Sequence, residues 1–220
     1  MTPNHHLDDA TLLSYSAGAL PMGLAVVAAT HLERCVACRT HLHEADQIGG
    51  VLIQQQRVDA PTEAARAAML ALLDAEPTIE SLAPPPDVVA ERDPDRLPSA
   101  LQPWFGTSIR ALRWRRVAPG VQRIRASGIN GGDLMLLRVA PGSKLPLHSH
   151  QGNELTVILD GAYDDMLGHF GPGDAADLDG ETTHQPVTSP GLSCICVAAT
   201  DAPLKFSGWI ARTLQLVLGF

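Results

Sequence analysis

Along the first 76 residues the apolar positions recur at helical spacing. Leu12, Leu13 and Tyr15 follow a capping carboxylate, Asp8 or Asp9, and Gly18 supplies a stop, so the pattern predicts a short first helix. After Pro21 a proline-free stretch runs to about Gln56, marked at loosely helical spacing by Val26, Val27, Leu32, Val36, Leu42 and Ile48. Pro61-Thr62 opens a further helix through Ala75, in which Ala65, Met69, Leu72 and Leu73 share a face, and Pro77 ends it. The expectation is a unit of three or four helices. Seven prolines then fall within the 27 residues from Pro77 to Pro103, among them Pro84-Pro85-Pro86. Neither a helix nor a central strand survives such a run, which predicts a semi-stiff linker holding two domains apart. Beyond it the pattern shortens. Leu134–Val139, Leu155–Leu159 and Leu192–Ala198 read as short strands between glycine-bearing turns, which predicts an all-β sandwich or barrel. The apolar tail from Phe206 to Phe220 fits helix and strand equally. The chain thus divides into a helical domain over 1–76, a linker over 77–103 and a β domain over 104–220.

A length of 220 residues suits two modest domains, and a hydrophobic content of 45% is enough to build their cores. The formal net charge of −8 excludes non-specific attraction to nucleic acid or to an anionic membrane, and it leaves room for a basic protein partner. The helical domain carries nine acidic and four basic side chains, a net of −5, more than its share. Arg110, Arg113, Arg115, Arg116, Arg123 and Arg125 form a local basic run that reads as the solvated faces of the first barrel strands. Residues 1–9 show no basic, then apolar, leader pattern. The most apolar stretch, Ala19 to Leu32, has 14 residues against the roughly 20 that cross a bilayer. A cytoplasmic protein is expected. The four cysteines agree, since Cys35/Cys38 and Cys194/Cys196 are close pairs rather than a dispersed disulfide framework.

Candidate chemistry sharpens the picture at two places. His31, Cys35 and Cys38 stand at i, i+4 and i+7, which on one continuous helix puts all three within reach of a single ion. Two thiols and an imidazole are soft to borderline donors that favour Zn2+ in a tetrahedral site. A fourth donor is then needed, and His6 or its neighbour His5 offers one. In a domain with so small a core, metal binding worth on the order of 10 kcal/mol decides whether it folds. Two buried cysteines beside an incidental histidine, or a Cys-x-x-Cys redox pair, are the competing readings; the second lacks a βαβ context. His41 and His43 read as surface residues.

The second place is Gly142-x5-His148-x-His150-x3-Glu154-x6-Gly161. Alternation along a strand sets His148 and His150 on one face, and a turn at Gln151-Gly152-Asn153 brings Glu154 back toward them. Two imidazoles and a carboxylate converging inside a barrel bind a divalent metal. Cys194 and Cys196 alternate on a late strand and face one side, either as buried apolar thiols or as an oxidisable pair near the metal. His169 belongs to no pattern.

His6 followed by His31-x3-Cys35-x2-Cys38 resembles the zinc-binding anti-sigma domain that sequesters extracytoplasmic-function (ECF) sigma factors. The runs LLSYSAGAL and ATHLERCVACR are similar to the ChrR type in particular. That resemblance implies His6, His31, Cys35 and Cys38 as the four ligands. The spacing from Gly142 to Gly161 matches the first cupin motif at each defined position. The second cupin motif is degraded: Asp179 and Glu181 replace the usual Pro and Gly, and Thr188 the usual Asn. His184 keeps its expected separation from Gly173, so a site of three histidines and one carboxylate is implied, with the altered turn putting the placement of His184 in question. Taken together, head, linker and cupin resemble the ChrR-type anti-sigma factors over nearly the whole chain. The implied fold is a multidomain α plus β chain, a small all-α zinc-binding domain followed by an all-β cupin (jelly-roll) barrel, with Zn2+ in each. The implied function is non-enzymatic: the head sequesters an ECF sigma factor and the cupin triggers release under oxidative stress, from singlet oxygen or organic peroxide. The alternative is a metal-dependent cupin dioxygenase or isomerase with a helical accessory domain.

Overall fold

The computed structural model describes residues 2–57, 60–74, 95–202 and 204–206. Helix α1 (Asp9–Ser16) starts where the carboxylate of Asp8 accepts the Thr11 amide at 2.6 Å. The proline-free run that follows is not one helix. It divides into α2 (Met22–Leu32) and α3 (Val36–Gln55), with Cys35 in an extended conformation as the N-cap of α3. Its sulfur accepts the Cys38 amide at 3.4 Å, in place of the oxygen that usually takes an orphan N–H there. His31, Cys35 and Cys38 therefore meet at a corner between two helices, and the expectation of a single helical face is corrected. Helix α4 (Glu63–Asp74) follows Pro61 as expected.

Eleven strands are described: β1 (Arg115–Ala118), β2 (Val121–Arg125), β3 (Asp133–Val139), β4 (His148–His150), β5 (Glu154–Asp160), β6 (Tyr163–Asp165), β7 (Gly168–Phe170), β8 (Ala175–Leu178), β9 (Val187–Thr188), β10 (Cys194–Thr200) and β11 (Leu204–Phe206). A six-stranded antiparallel sheet runs β1-β2-β3-β10-β5-β8. Facing it are the pair β11-β4 and the three-stranded β7-β6-β9, with isolated bridges at His148–His184 and Lys144–Val187. The tail beyond Phe206 lies outside the described residues.

The large sheet separates two apolar cores, and alternation along β10 shows how. Cys194 and Cys196 join Ile158, Tyr163, Phe170, Ala176 and Leu178 inside the barrel. Ile195, Val197 and Ala199 point the other way, into a core shared with Leu24, Val27, Ala28 and Leu32 of α2. Burying a Leu or Val side chain contributes about 1.5–3 kcal/mol, so apolar packing is the main hold of α2 on the sheet. Gly23 makes the approach close: a β-carbon there would stand 3.1 Å from the Asp133 carbonyl oxygen and 3.4 Å from Cβ of Ala199.

The linker expected over 77–103 is corrected at its C-terminal end. Leu97 and Leu101 are fully buried in the shared core. Between them a 3-10 turn (Ser99–Leu101) runs into α5 (Gln102–Phe105). The Glu33 carboxylate at the end of α2 accepts the Ser99 hydroxyl and the amides of Ser99 and Ala100 at 2.6–3.1 Å. Leucines placed to pack outweigh the prolines around them. Residues 77–94 of the expected linker lie outside the described residues. Head and barrel are thus in direct contact rather than held apart.

Candidate functional site

The helix corner gathers four donors. His6, His31, Cys35 and Cys38 each present a ligand atom, all within 4.8 Å of one another. Nδ1 of His6 lies 3.1 Å from the Cys35 sulfur, and Nε2 of His31 lies 3.2 Å from the Cys38 sulfur. His31 and both cysteines are buried, while His6 is exposed. The orientation of His31 comes from the barrel: its Nδ1–H donates to the Gly173 carbonyl at 2.8 Å, which leaves the Nε2 lone pair facing the sulfurs. Burial lowers the His31 pKa and keeps the ring neutral. Burial also pushes the Cys38 thiol up to about 11, so that sulfur carries charge near neutral pH only with a cation beside it. Two sulfurs and two imidazoles fit a tetrahedral ion of zinc type.

His5, the other candidate for the fourth position, is engaged elsewhere. Its ring stacks on Phe170 at 4.0 Å and bonds the His169 carbonyl at 3.0 Å. The segment carrying both histidines is seated on the barrel by Asp174. That carboxylate accepts the Asn4 and His5 amides at 2.5 and 3.1 Å and the Gly171 amide at 2.8 Å. His41 and His43 are exposed on α3, as expected, and His169 pairs with Asp164 at the surface.

In the barrel, His148, His150 and His184 converge. Nε2 of His184 is 3.1 Å from Nε2 of His148 and 3.4 Å from Nε2 of His150. Nδ1–H of His148 donates to the Pro146 carbonyl at 2.8 Å, and Nδ1–H of His184 to the Asp165 carboxylate at 3.1 Å. Both Nε2 atoms are therefore bare acceptors aimed at each other, an arrangement that repels unless a cation sits between them. Burial drops the His148 and His150 pKa values to about 4, so both of those rings are neutral near pH 7. The donor chemistry fits a divalent metal.

Glu154 is not among the converging atoms. Its Oε2 stands 3.3 Å from Nδ1 of His150, the ring atom on the other side from His184, in a geometry that makes no hydrogen bond. Burial raises its carboxyl to about 7, which leaves it half neutral with no cation nearby. The degraded second motif still places His184. Where the usual Pro and Gly are missing, the Asp179 carboxylate accepts the Glu181 amide, the Thr182 amide and the Thr182 hydroxyl at 2.8–3.1 Å, and so closes the turn itself. Thr188 takes over from the usual Asn by accepting the Ser143 amide at 2.9 Å and donating to the Ala140 carbonyl at 2.6 Å. Cys194 and Cys196 are both buried on the barrel side. The bond to Cys194, with burial behind it, holds the Cys196 thiol well above its ordinary pKa.

Gly173, Asp165 and Asp174 escape sequence reasoning. Their contacts, with His31, with His184 and with the segment just before His6, span 19–170 residues, and no local spacing announces them.

Comparison with known proteins identifies the family. Residues 105–203 match the family model of the ChrR cupin-like domain. The anti-sigma-E factor ChrR of Cereibacter sphaeroides is 38% identical over 217 residues, covering 98% of each chain. The crystal structure of Rhodobacter sphaeroides SigE in complex with the anti-sigma ChrR superposes with a TM-score of 0.74 at 32% identity, covering 91% of this chain and 99% of that one. Since the match includes the helical head as well as the barrel, and since the full-length relative is a regulator, the cupin-enzyme alternative loses its support. The chain belongs to the ChrR family of anti-sigma factors.

Proposed function

We propose that this chain sequesters an ECF sigma factor in the cytoplasm through its helical head, and releases it when the barrel meets an oxidative signal such as singlet oxygen or organic hydroperoxide. The observation that carries the binding half is an open apolar surface. Ile48, Val51, Leu52 and Ile53 at the end of α3, and Met69, Leu70, Leu72 and Leu73 on α4, are 50–79% exposed. The face expected on α4 forms, and no described residue covers it. Apolar helix faces of this kind seat in grooves of a protein partner. A net of −5 on the head favours a basic partner. The solved relative is in complex with SigE, which supports a sigma factor as the partner class. No described helix is long and apolar enough to cross a membrane.

His6, His31, Cys35 and Cys38 hold one Zn2+ in this reading, and His148, His150 and His184 hold a second, with the expected fourth ligand Glu154 standing beside the His150 ring rather than at the ion. The head ion supplies the charge that keeps both sulfurs as thiolates. His31 and the Cys35 cap fix the corner from which α3 and its apolar end project. On the sensing side, the raised pKa of Cys196 keeps that buried thiol protonated and slow to oxidise. The metal-bound imidazoles are then the first element to respond, with Cys194 and Cys196 following once the packing loosens.

Co-expression with a candidate ECF sigma factor tests the reading. The expected result is co-purification of a complex holding two zinc ions per anti-sigma chain, and repression of a sigma-dependent reporter that singlet oxygen or hydroperoxide relieves. A zinc-loaded, folded chain that retains no ECF sigma factor contradicts it.

A further inference from the structure

The two clusters are joined by a short structural route that neither motif contains. The side chain of Asp165, at the end of β6, is fully buried. One oxygen accepts Nδ1–H of His184 at 3.1 Å, and the other accepts the Leu167 amide at 2.8 Å, which closes the turn between β6 and β7. A single carboxylate thus fixes both a barrel imidazole and the hairpin turn. The hairpin is narrow, with Asp165 opposite Gly168 and Tyr163 opposite Phe170.

Its other side carries the head. His5 stacks on Phe170, which stacks on Tyr163 at 4.8 Å, and the His5 ring bonds the His169 carbonyl. At Gly168, φ is +136° and a β-carbon would stand 3.2 Å from Cε1 of His5, so the ring lies close against the bare backbone. The next residue is His6, the one exposed member of the head cluster, 3.1 Å from the Cys35 sulfur.

We propose that Asp165 is a positioning residue for the barrel metal, and that through the β6–β7 hairpin and His5 it couples the barrel centre to His6 of the head centre. The inference rests on the reading that His148, His150 and His184 hold a metal. A carboxylate on the far nitrogen of a ligating imidazole fixes its tautomer and raises its basicity. Because the second oxygen of Asp165 holds the hairpin turn, a change in the His184 ring moves the surface on which His5 is seated. His6 is the head ligand best placed to respond, being solvent-exposed and on the same short segment.

The test uses the full chain titrated with zinc, reading bound metal by mass spectrometry and backbone hydrogen exchange over residues 4–8. The thiolate site fills first, so the second equivalent reports the barrel. In the wild-type chain the second equivalent slows exchange over residues 4–8, by a factor in the range of about 5–150 that a coupling of this kind spans. Asp165→Asn needs roughly 10–100-fold more zinc for the second equivalent while binding the first normally. His5→Ala binds both equivalents normally but shows no slowing. In the wild-type zinc-loaded chain, long-range proton–nitrogen spectra show the His184 proton on Nδ1, a check that depends on no variant folding. A wild-type second affinity in Asp165→Asn, a proton on Nε2 of His184, or an unchanged response in His5→Ala each overturns the proposal. A wild-type chain that takes only one zinc overturns the barrel-metal reading beneath it, and the two failures are told apart by that stoichiometry.

Discussion

In the head, three of the four donors lie within eight residues, at a corner whose sharpness is set by a cysteine N-cap, and the fourth comes from a segment seated on another domain. In the barrel, the three imidazoles come from β4 and from a turn more than thirty residues later, held on strands packed by an apolar core. The supporting material differs as much as the donors. Of the 20 residues of α3 only Cys38 and Ala45 are buried, so the ligands are much of what this helix has for a core. Every residue of β10 is buried, with apolar packing on both faces of the sheet. A centre that supplies its own scaffold is structural, and its loss is a loss of fold. A centre mounted on an independent scaffold is free to change state while the fold persists, which is what a sensor requires.

The sharpest way to break this contrast is to remove a head thiolate. Cys35→Ala or Cys38→Ala leaves three donors and takes away either the cap of α3 or a buried ligand. Structural zinc contributes on the order of 10 kcal/mol to domains of this kind, so head zinc is lost and sigma binding with it. The expected readout is a fall from two zinc ions to one per chain and a sigma-dependent reporter that is constitutively active. Normal repression by both variants shows that the head metal is dispensable.

His148→Ala is the matched test of the barrel. It removes one of three converging imidazoles, and barrel zinc affinity falls by at least the roughly 10–100-fold that even an outer-shell partner is worth. The fold persists, because Leu134, Leu136, Val157, Ile158 and Val197 remain buried without it. Basal repression therefore stays near wild type while induction by singlet oxygen or hydroperoxide is blunted. Full induction in a variant shown to lack barrel metal removes the metal from the sensing step and leaves the thiols or the head.

How much of each centre is legible in the sequence follows from the same contrast. The head set can be listed from spacing and resemblance because its donors are near neighbours. The helix break at Glu33–Cys35 is hidden, since no proline or glycine marks it and the cap is a sulfur rather than an oxygen. The strands around β3, β5 and β10 are legible from apolar runs, but not that both faces of the sheet are covered; that follows from α2 lying on it through Gly23. Prolines before 103 suggest a linker, yet Leu97 and Leu101 are core residues, and composition does not reveal which leucines find a partner. The deviations at Asp179 and Thr188 look like decay. Each instead supplies side-chain hydrogen bonds: those of Asp179 close a turn that Pro and Gly would shape through the backbone, and those of Thr188 stand where an Asn side chain would bond.

A third variant separates binding from folding within the head. Leu72 and Leu73 are 76% and 79% exposed, so replacing either with Asp removes no core contact. Stability stays within about 0.5 kcal/mol of wild type and both zinc ions are retained. Affinity for the sigma factor falls by about 2 kcal/mol, roughly 30-fold, if these residues anchor the interface. Calorimetric titration with the purified sigma factor reads it. Unchanged affinity in both variants moves the docking surface away from α4 and toward the end of α3.

The smallest effect is expected at Asp179, where it tests whether a side-chain turn has replaced a missing motif. Its carboxylate accepts two amides and a hydroxyl just before His184, and it is the device that closes this turn without the usual Pro and Gly. Asp179→Ala frees the turn and spreads His184 over positions that do not reach His148 and His150. Because the turn is exposed, the freed amides find water, and the net cost is near the 1 kcal/mol of a single hydrogen bond. That corresponds to about a fivefold weaker barrel zinc affinity, with head zinc unchanged. Asp179→Asn keeps a side-chain oxygen that accepts in the same place and should recover most of the loss. Chelator competition on the full chain resolves a difference of this size. If the Ala variant binds barrel zinc as tightly as wild type, His184 is placed by its bridge to His148 rather than by the turn. If head zinc weakens equally, the two centres do not differ in scaffold in the way their surroundings indicate.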